Sequence, residues 1–516
     1  ILPLEIARLT RARYPVRIQL TSRLKMPPLK SGDVVQFRAI LLPPPGPARP
    51  GGFSYARMAW FERIGASGFL VSPPELQPPR PQGILMRINA QIQKIRTSVT
   101  RRILEGAGKT TGAIAAALIT GEKGALSPEL RNIMRSAGLA HLLAISGLHM
   151  VLFGGAIFAL SRALLALSAR LTLRYPIKKW AAFIALLGAL AYLVLSGASI
   201  ATQRAFIMIS IMFLAIILDR QALTMRNVAL AALVILLMRP ESLFNVSFQM
   251  SFAAVIALIA VYETGIFRIA TARPGFGQMG MAVRFFLLFF LGNVLTSIIA
   301  GSATGPFAAY HFHRVALYGV LGNIAAVPLM GLLVMPAALI ALIAMPFGLE
   351  SIPLTIMGYG ISLIVDIARQ VSDLPGAVRL VADFHMLALP FMTAGGLWLC
   401  LWRRVWRFAG IIPVAAGLVL APYGDKPDIL IARDGKNLAL RDAAGKLRVL
   451  DPRKDAYSVR KWLEADGDAR TPREAANPEN SPFSCDALAC IAQIGSGKLM
   501  SYIRSPAALE EDCQRA

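Results

Sequence analysis

From about Gly138 to Tyr423 the chain is built of long apolar runs separated by short polar or basic loops, while the segments on either side alternate apolar and polar positions over short stretches. Apolar runs of this length predict membrane-spanning helices. About ten are expected, over 138–162, 180–198, 204–218, 226–239, 243–262, 283–301, 314–347, 352–370, 386–402 and 408–423. Several fall short of the roughly twenty residues a bilayer requires, so broken or re-entrant helices are expected among them. The seventh is too long for one crossing and holds Pro328, Gly331 and Pro336, which predicts a break or a pair of half-helices.

The flanks carry a different pattern. Val16–Thr21 alternates with period two and reads as a strand, Gly32-Asp33 as a turn, and Val34–Leu42 as a second strand. A proline-rich break over Pro43–Pro50 follows. Short strands joined by a Gly-Asp turn predict a small β-barrel of the OB type over residues 1–80. Residues 81–137 read as amphipathic linker helices. Within them Ser127 is an N-cap, Pro128 takes the first helical position, and Leu130, Ile133, Met134 and Ala137 share one face up to Gly138. The membrane domain is assigned to 138–423 and a second polar, α/β domain to 424–516, with hairpins over Asp428–Leu450. The chain begins at Ile1 without a methionine or signal sequence, so a membrane anchor and the start of the OB-like domain are expected to precede it.

Composition sharpens this picture. The chain is 55% hydrophobic with a net charge of +25, and its mean hydropathy is +0.56. So large a basic excess points to an anionic partner, nucleic acid or lipid headgroups. Part of it serves orientation. Arg162, Arg170, Arg174, Lys178 and Lys179 fall in one predicted loop, Arg268, Arg273 and Arg284 in another, and Arg403, Arg404 and Arg407 in a third. With an even number of spans all three lie on one side, which the positive-inside rule makes cytoplasmic. Both polar ends are then expected outside, in the periplasm of a Gram-negative cell. There, Cys485 and Cys490 are expected to form a disulfide, with Cys513 as the competing partner. No histidine follows His385, so no zinc or other metal site is expected, and no cofactor.

Four polar patches interrupt the apolar runs. The first is His141-Leu-Leu-Ala-Ile-Ser146-Gly-Leu-His149, holding two of the five histidines. Eight residues apart on one helix, the two rings would lie within about 80° of each other, two turns apart. The second contains Gln203 and Arg204, the third Asn245, Gln249 and Ser251, and the fourth His311, His313 and Arg314, followed by Asn323. Ionisable and amide groups are costly in lipid, and one water-filled interior would satisfy them all. In the N-terminal region Lys30, Arg38 and Arg57 supply charge for phosphates. Phe53, Tyr55 and Trp60 either stack on bases or fill the barrel core. Glu105–Thr111 imitates a phosphate-binding loop, but Ile103 stands where that motif needs glycine and the preceding residues read as helix.

The same four patches resemble the signatures of the ComEC family of competence proteins. The His141–His149 run is similar to the family's own. Gln203-Arg204 loosely matches a Gln-x-x-Arg-like element, Phe248-Gln-Met-Ser-Phe252 a Phe-Gln-Leu-Ser-Phe segment, and His311-Phe-His313 with Asn323 and Pro328 a His-Phe-His element. Pro50-Gly-Gly-Phe-Ser-Tyr-Ala-Arg57 resembles the end of the family's OB-like domain. The resemblance covers about residues 10–420. It implies a channel in the bacterial inner membrane that admits single-stranded DNA to the cytoplasm during natural transformation, working with a periplasmic DNA receptor and a cytosolic helicase-like motor. Many relatives end in a metallo-β-lactamase-like nuclease. Without the His-x-His-x-Asp-His cluster that chemistry needs, the C-terminal segment is expected to be an incomplete or degenerate version, and the chain not an enzyme.

The expected function is therefore a DNA-internalisation channel whose path is lined by the four patches, embedded in membrane lipid. Two rivals come from other classes. Ser146 with His149 or His141 suggests an intramembrane hydrolase, and the polar interior suggests a secondary transporter of a small anion.

Overall fold

The computed structural model describes residues 14–22, 24, 26–27, 29–30, 32–78, 83–264, 281–477, 482–494 and 498–515. The N-terminal region contains β1 (Arg17–Thr21), β2 (Val34–Gln36), β3 (Ala39–Leu42), α1 (Tyr55–Phe61), β4 (Ile64–Leu70) and β5 (Glu75–Gln77). One sheet runs β1-β4-β3 and a separate pair joins β2 to β5. The strand expected over Val34–Leu42 is thus two strands in two sheets, and the described residues form no closed barrel. Two local features account for this. Ser54 accepts the Arg57 N–H at 3.2 Å and starts a helix where the barrel was expected to end. Gly68 then lets β4 press against β3, since a Cβ there would lie 1.9 Å from the Ile40 carbonyl oxygen. Phe53 and Trp60 are 64% and 79% exposed, so they fill no core.

Next come α2 (Ile84–Gly106), α3 (Lys109–Ile119) and α4 (Pro128–Ser136). α3 folds back along α2, their Thr100 and Thr120 hydroxyls 2.7 Å apart. The expected linker role fails for α3: Ala113 through Ile119 are all at most 3% exposed, at the centre of the main core. Its alanines permit the close helix contacts such a position needs. The Gly108 turn follows a helix, not a strand, so no phosphate-binding loop forms there. Ser127 caps α4, accepting the Leu130 N–H at 3.1 Å, and Leu130 and Met134 are buried.

The membrane block comprises α5 (Gly147–Ala166), a short surface α6 (Ala169–Arg174), α7 (Ile177–Leu195), α8 (Ile200–Ile217), α9 (Met225–Met238), α10 (Val246–Glu263), α11 (Met281–Phe312), β6 (Arg314–Ala316), α12 (Gly319–Leu329), α13 (Met335–Ala344), α14 (Ser351–Ser372), β7 (Val378–Leu380), α15 (Ala388–Leu401) and α16 (Ile411–Leu420). Among the described residues, eight helical segments are long and apolar enough to cross a membrane. Of the expected ten, the fourth and ninth fall on α9 and α15, each only 14 residues long. The seventh does not break. Its first residues leave to pair as β6 with β7, and Gly319–Phe347 runs on as 29 apolar residues, with a π-helical turn at Met330–Val334 between Pro328 and Pro336. A wider turn is how a helix absorbs a missing hydrogen bond without stopping.

The main core joins α3, α5, α7 and α14, with a second cluster where Val228 and Ile235 of α9 meet Phe248 and Phe252 of α10. α15 and α16 touch through glycines: a Cβ on Gly395 would lie 2.5 Å from the Gly410 carbonyl oxygen. At one end of the bundle Lys179 pairs with Asp219 at 2.5 Å and Arg403 with Glu263 at 2.8 Å. Each of these pairs takes one residue from an expected basic cluster. Arg268 and Arg273 lie outside the described residues.

The C-terminal domain holds β8 (Ile429–Ile431), β9 (Leu438–Arg441), β10 (Leu447–Val449), α17 (Ala456–Ala465), α18 (Pro472–Ala475), β11 (Phe483–Cys485), β12 (Ala489–Gln493), β13 (Leu499–Ile503) and α19 (Leu509–Arg515). The domain has two three-stranded antiparallel sheets. Trp462, 1% exposed, packs between the β8–β10 sheet and α18 with Leu430, Leu447 and Ala475, while Leu438 and Leu440 on the other side of β9 meet Ala492 of β12. The described residues do not form the larger layered sandwich expected of a metallo-β-lactamase-like domain. Cys485 and Cys490 face each other across the β11–β12 hairpin as a disulfide, Cα atoms 4.0 Å apart; Cys513 is free and exposed.

Candidate functional site

A single cavity of about 3440 Å³ runs from the N-terminal loop before α1, between the membrane helices, to the edge of α17. Its lining residues include eleven Arg and Lys against six Asp and Glu. The wall is therefore electropositive, with aromatic rings such as Phe53, Phe244, Tyr310 and Phe384 between the charges.

Ten of the twelve residues expected to mark the path reach this cavity: His141, Ser146, Arg204, Asn245, Gln249, Ser251, His311, His313, Arg314 and Asn323. Residues as distant in sequence as Ser146 and Asn323 thus share one wall. His149 and Gln203 do not line it. Gln203 turns back to donate to the Ala198 carbonyl at 2.8 Å. Of the N-terminal residues, Phe53 and Arg57 line the cavity, whereas Lys30, Arg38 and Tyr55 do not. Lys30 and Arg38 are exposed on the outer surface, and Tyr55 donates to Gln19.

The first patch departs from expectation. His141 sits in a 3₁₀ turn (Ala140–Leu143), the chain extends at Ala144, and α5 begins at Gly147. The two histidines therefore do not share a helix, and the angular argument for them lapses. The break is a capping box: Ser146 is the N-cap, and His149 three residues on stands where Glu or Gln usually does. The Ser146 N–H donates to His149 Nδ1 at 3.1 Å, with Ser146 Oγ also 3.1 Å away. Since a backbone N–H only donates, Nδ1 is the acceptor and the proton sits on Nε2, which is buried without a partner among the described residues.

The other patches are knitted by hydrogen bonds between helices. Arg204 of α8 is 5% exposed and donates from Nη2 to the Ser247 carbonyl at 3.0 Å and its hydroxyl at 2.6 Å, at the first turn of α10. Its Nε and Nη1 have no partner among the described residues. His311 of α11 meets Gln249 of α10, Nε2 to Oε1 at 2.9 Å. Asn245 caps α10 through its side chain. The Asn323 side-chain oxygen is buried without a partner among the described residues, while the residue's backbone carbonyl lies near the Asn293 amide. Asn293 was not singled out from the sequence, although an amide in the middle of an apolar run is a signal.

Two further residues were not foreseen. Arg49, in the loop before α1, makes a bidentate ion pair with Asp383, which follows β7. Arg49 Nη2 is also 3.0 Å from His313 Nε2. His313 is held at the end of α11 in a left-handed conformation, φ 54°. No group of three His, Cys, Asp or Glu side chains placed to hold a metal occurs among the described residues.

Residues 118–406 match the family model described as competence protein. ComE operon protein 3 of Bacillus subtilis (strain 168) is 27% identical over 226 residues, 44% of this chain and 25% of that protein. Competence protein ComA of Neisseria gonorrhoeae is 29% identical over 279 residues, 52% of this chain and 40% of that protein. The matched regions thus span less than half the length of either relative. No solved structure matches the chain significantly. The family match takes in every membrane patch described above and more than half of the residues: the chain belongs to the ComEC family of competence proteins.

Proposed function

We propose that this protein takes part in DNA uptake during competence, and that its cavity is the path by which single-stranded DNA crosses the inner membrane into the cytoplasm. The observation that carries the reading is the wall itself. Positive charge exceeds negative among the lining residues, and aromatic rings interrupt the charges. A strand of any sequence presents phosphates and base faces, and this combination accepts both. The polar ends of the chain would face the periplasm and the basic loops the cytoplasm. A periplasmic DNA receptor would deliver the strand and a cytosolic helicase-like motor would draw it in.

The hydrolase reading that pairs Ser146 with His149 is weakened: that contact is accounted for by the capping box, and His149 does not line the cavity. The pairing with His141 stays as the alternative, since His141 and Ser146 both line it. The test is uptake of labelled DNA in a competent strain lacking the gene, separating periplasmic from cytoplasmic label. Loss of cytoplasmic label alone, restored by the wild-type gene but not by Arg204→Ala at equal abundance, is the expected result. Undiminished cytoplasmic label in the deletion strain would reject the reading.

A further inference from the structure

The junction of Arg49, His313 and Asp383 is where three parts of the chain meet. Arg49 is carried on a loop fixed from both sides. Trp462 Nε1 of the C-terminal domain donates to the Ala48 carbonyl at 2.7 Å, and the Gly52 N–H returns to the Arg49 carbonyl at 3.1 Å. Asp383 is tied by its own N–H to the Ala465 carbonyl at 2.8 Å, and His313 by its carbonyl to the Val381 N–H at 2.9 Å. All three side chains line the cavity, with Lys461 and Glu464 of α17 beside them. Arg49 and Asp383 keep only 17% and 23% of their side chains exposed.

A guanidinium gripped by a carboxylate through two parallel hydrogen bonds is in the arrangement it would adopt on a phosphodiester, which also offers two oxygens in a plane. Arg49 thus already holds an anion, and that anion belongs to the protein. We propose that Asp383 is a built-in stand-in for a DNA phosphate, and that a strand occupying the cavity displaces it from Arg49. The idea rests on the cavity being a DNA path.

His313 makes the exchange feasible. Its Nε2 now accepts from Arg49 and lies 3.6 Å from Asp383 Oδ1. Burial, with Arg49 beside it, keeps the ring neutral against the pull of Asp383. When Arg49 turns to a phosphate, one of these two oppositions is removed and Nε2 can pair with Asp383 as a proton donor. Neither the guanidinium nor the carboxylate is then left buried and alone, the outcome that makes breaking such pairs costly. In the absence of DNA, the same ion pair fastens the N-terminal loop to the segment leading into α15.

The test uses the full chain in lipid nanodiscs. The probe is a fluorescein-labelled dodecamer of thymidylate, with a methylphosphonate-linked dodecamer as the uncharged control. Asp383→Asn should tighten binding of the charged probe at least about threefold, because Arg49 no longer has a competitor. Arg49→Gln should weaken it by a similar factor and lower the slope of log affinity against log salt by about 0.7, the share of one single-strand phosphate. The double variant should match Arg49→Gln, and the uncharged probe should register none of these changes. If wild-type protein fails to bind the charged probe, the DNA-path reading fails and the exchange with it. If wild type binds but both variants leave affinity and slope unchanged, the exchange alone is overturned and the pair is a structural tie. Should Asp383→Asn fail to fold, Arg49→Gln decides: an unchanged slope rejects the proposal.

Discussion

His311 and Gln249 join α11 and α10 on the cavity wall, Nε2 to Oε1 at 2.9 Å. Gln249 is itself steadied by donating to the Leu243 carbonyl at 3.1 Å, so the histidine meets a fixed acceptor. A double-mutant cycle with His311→Ala and Gln249→Ala, read by denaturant unfolding in micelles, should give a coupling energy of about 0.6 kcal/mol, the average for hydrogen bonds between membrane helices. Additive single-variant effects would show that the contact contributes nothing.

The two histidines of the first patch should part company on substitution. His149→Ala removes a capping partner and should cost about 1 kcal/mol of stability, lowering abundance. His149→Gln restores a conventional capping box and should recover it. His141 lines the cavity instead, so His141→Ala should leave abundance intact and reduce cytoplasmic DNA. Immunoblots beside uptake assays separate the two; identical behaviour of both alanine variants would contradict the assignment.

Acid should loosen the C-terminal domain. Burial opposes ionisation of Asp442, but hydrogen bonds from Arg448 and the Lys446 and Ala444 backbone outweigh it and hold its carboxyl below the usual range. Asp468 is lowered in the same way, against burial, by Arg470. A carboxyl whose folded pKa is depressed contributes stability that is fully present above the unfolded value, about 3.9, and disappears as pH falls through the folded one. Fluorescence of the purified protein, with Trp462 as the buried reporter, should stay constant from neutral pH to about 4 and change below it. Asp442→Asn should flatten that acid limb. A transition near neutral pH would mean that other groups dominate.

The orientation proposed for the chain is testable with a native reporter. Cys513 is free and exposed in the C-terminal domain. An impermeant maleimide should label it in intact spheroplasts, while Arg170→Cys, between α5 and α7, should label only after lysis. The reverse pattern would invert the topology. Mass spectrometry of the same sample should find Cys485 and Cys490 joined and Cys513 free.

What was legible in the sequence followed from local physics. Apolar run length located the membrane block, because any backbone in lipid must satisfy its own hydrogen bonds. It misplaced the start of α5, because a Ser-x-x-His capping box looks like continuous apolar helix unless histidine is admitted as the reciprocal partner. It merged β2 and β3, because alternation does not say which sheet a strand joins. Arg49 and Asp383 were invisible: they are 334 positions apart, and neither stands in a motif. Only the fold brings the loop before α1 to the segment after β7.

The glycine contact between α15 and α16 has a mechanical consequence. With Gly395 against Gly410, and a Cβ on Gly417 only 2.7 Å from the Ala388 carbonyl oxygen, neither helix can slide or rotate on the other without collision. The two form a stiff paddle beside the cavity, whose Leu389 and Pro390 face the lumen. Any movement on that side therefore carries the two helices together as one body, so this flank of the cavity shifts as a unit rather than by the sliding of one helix on the other.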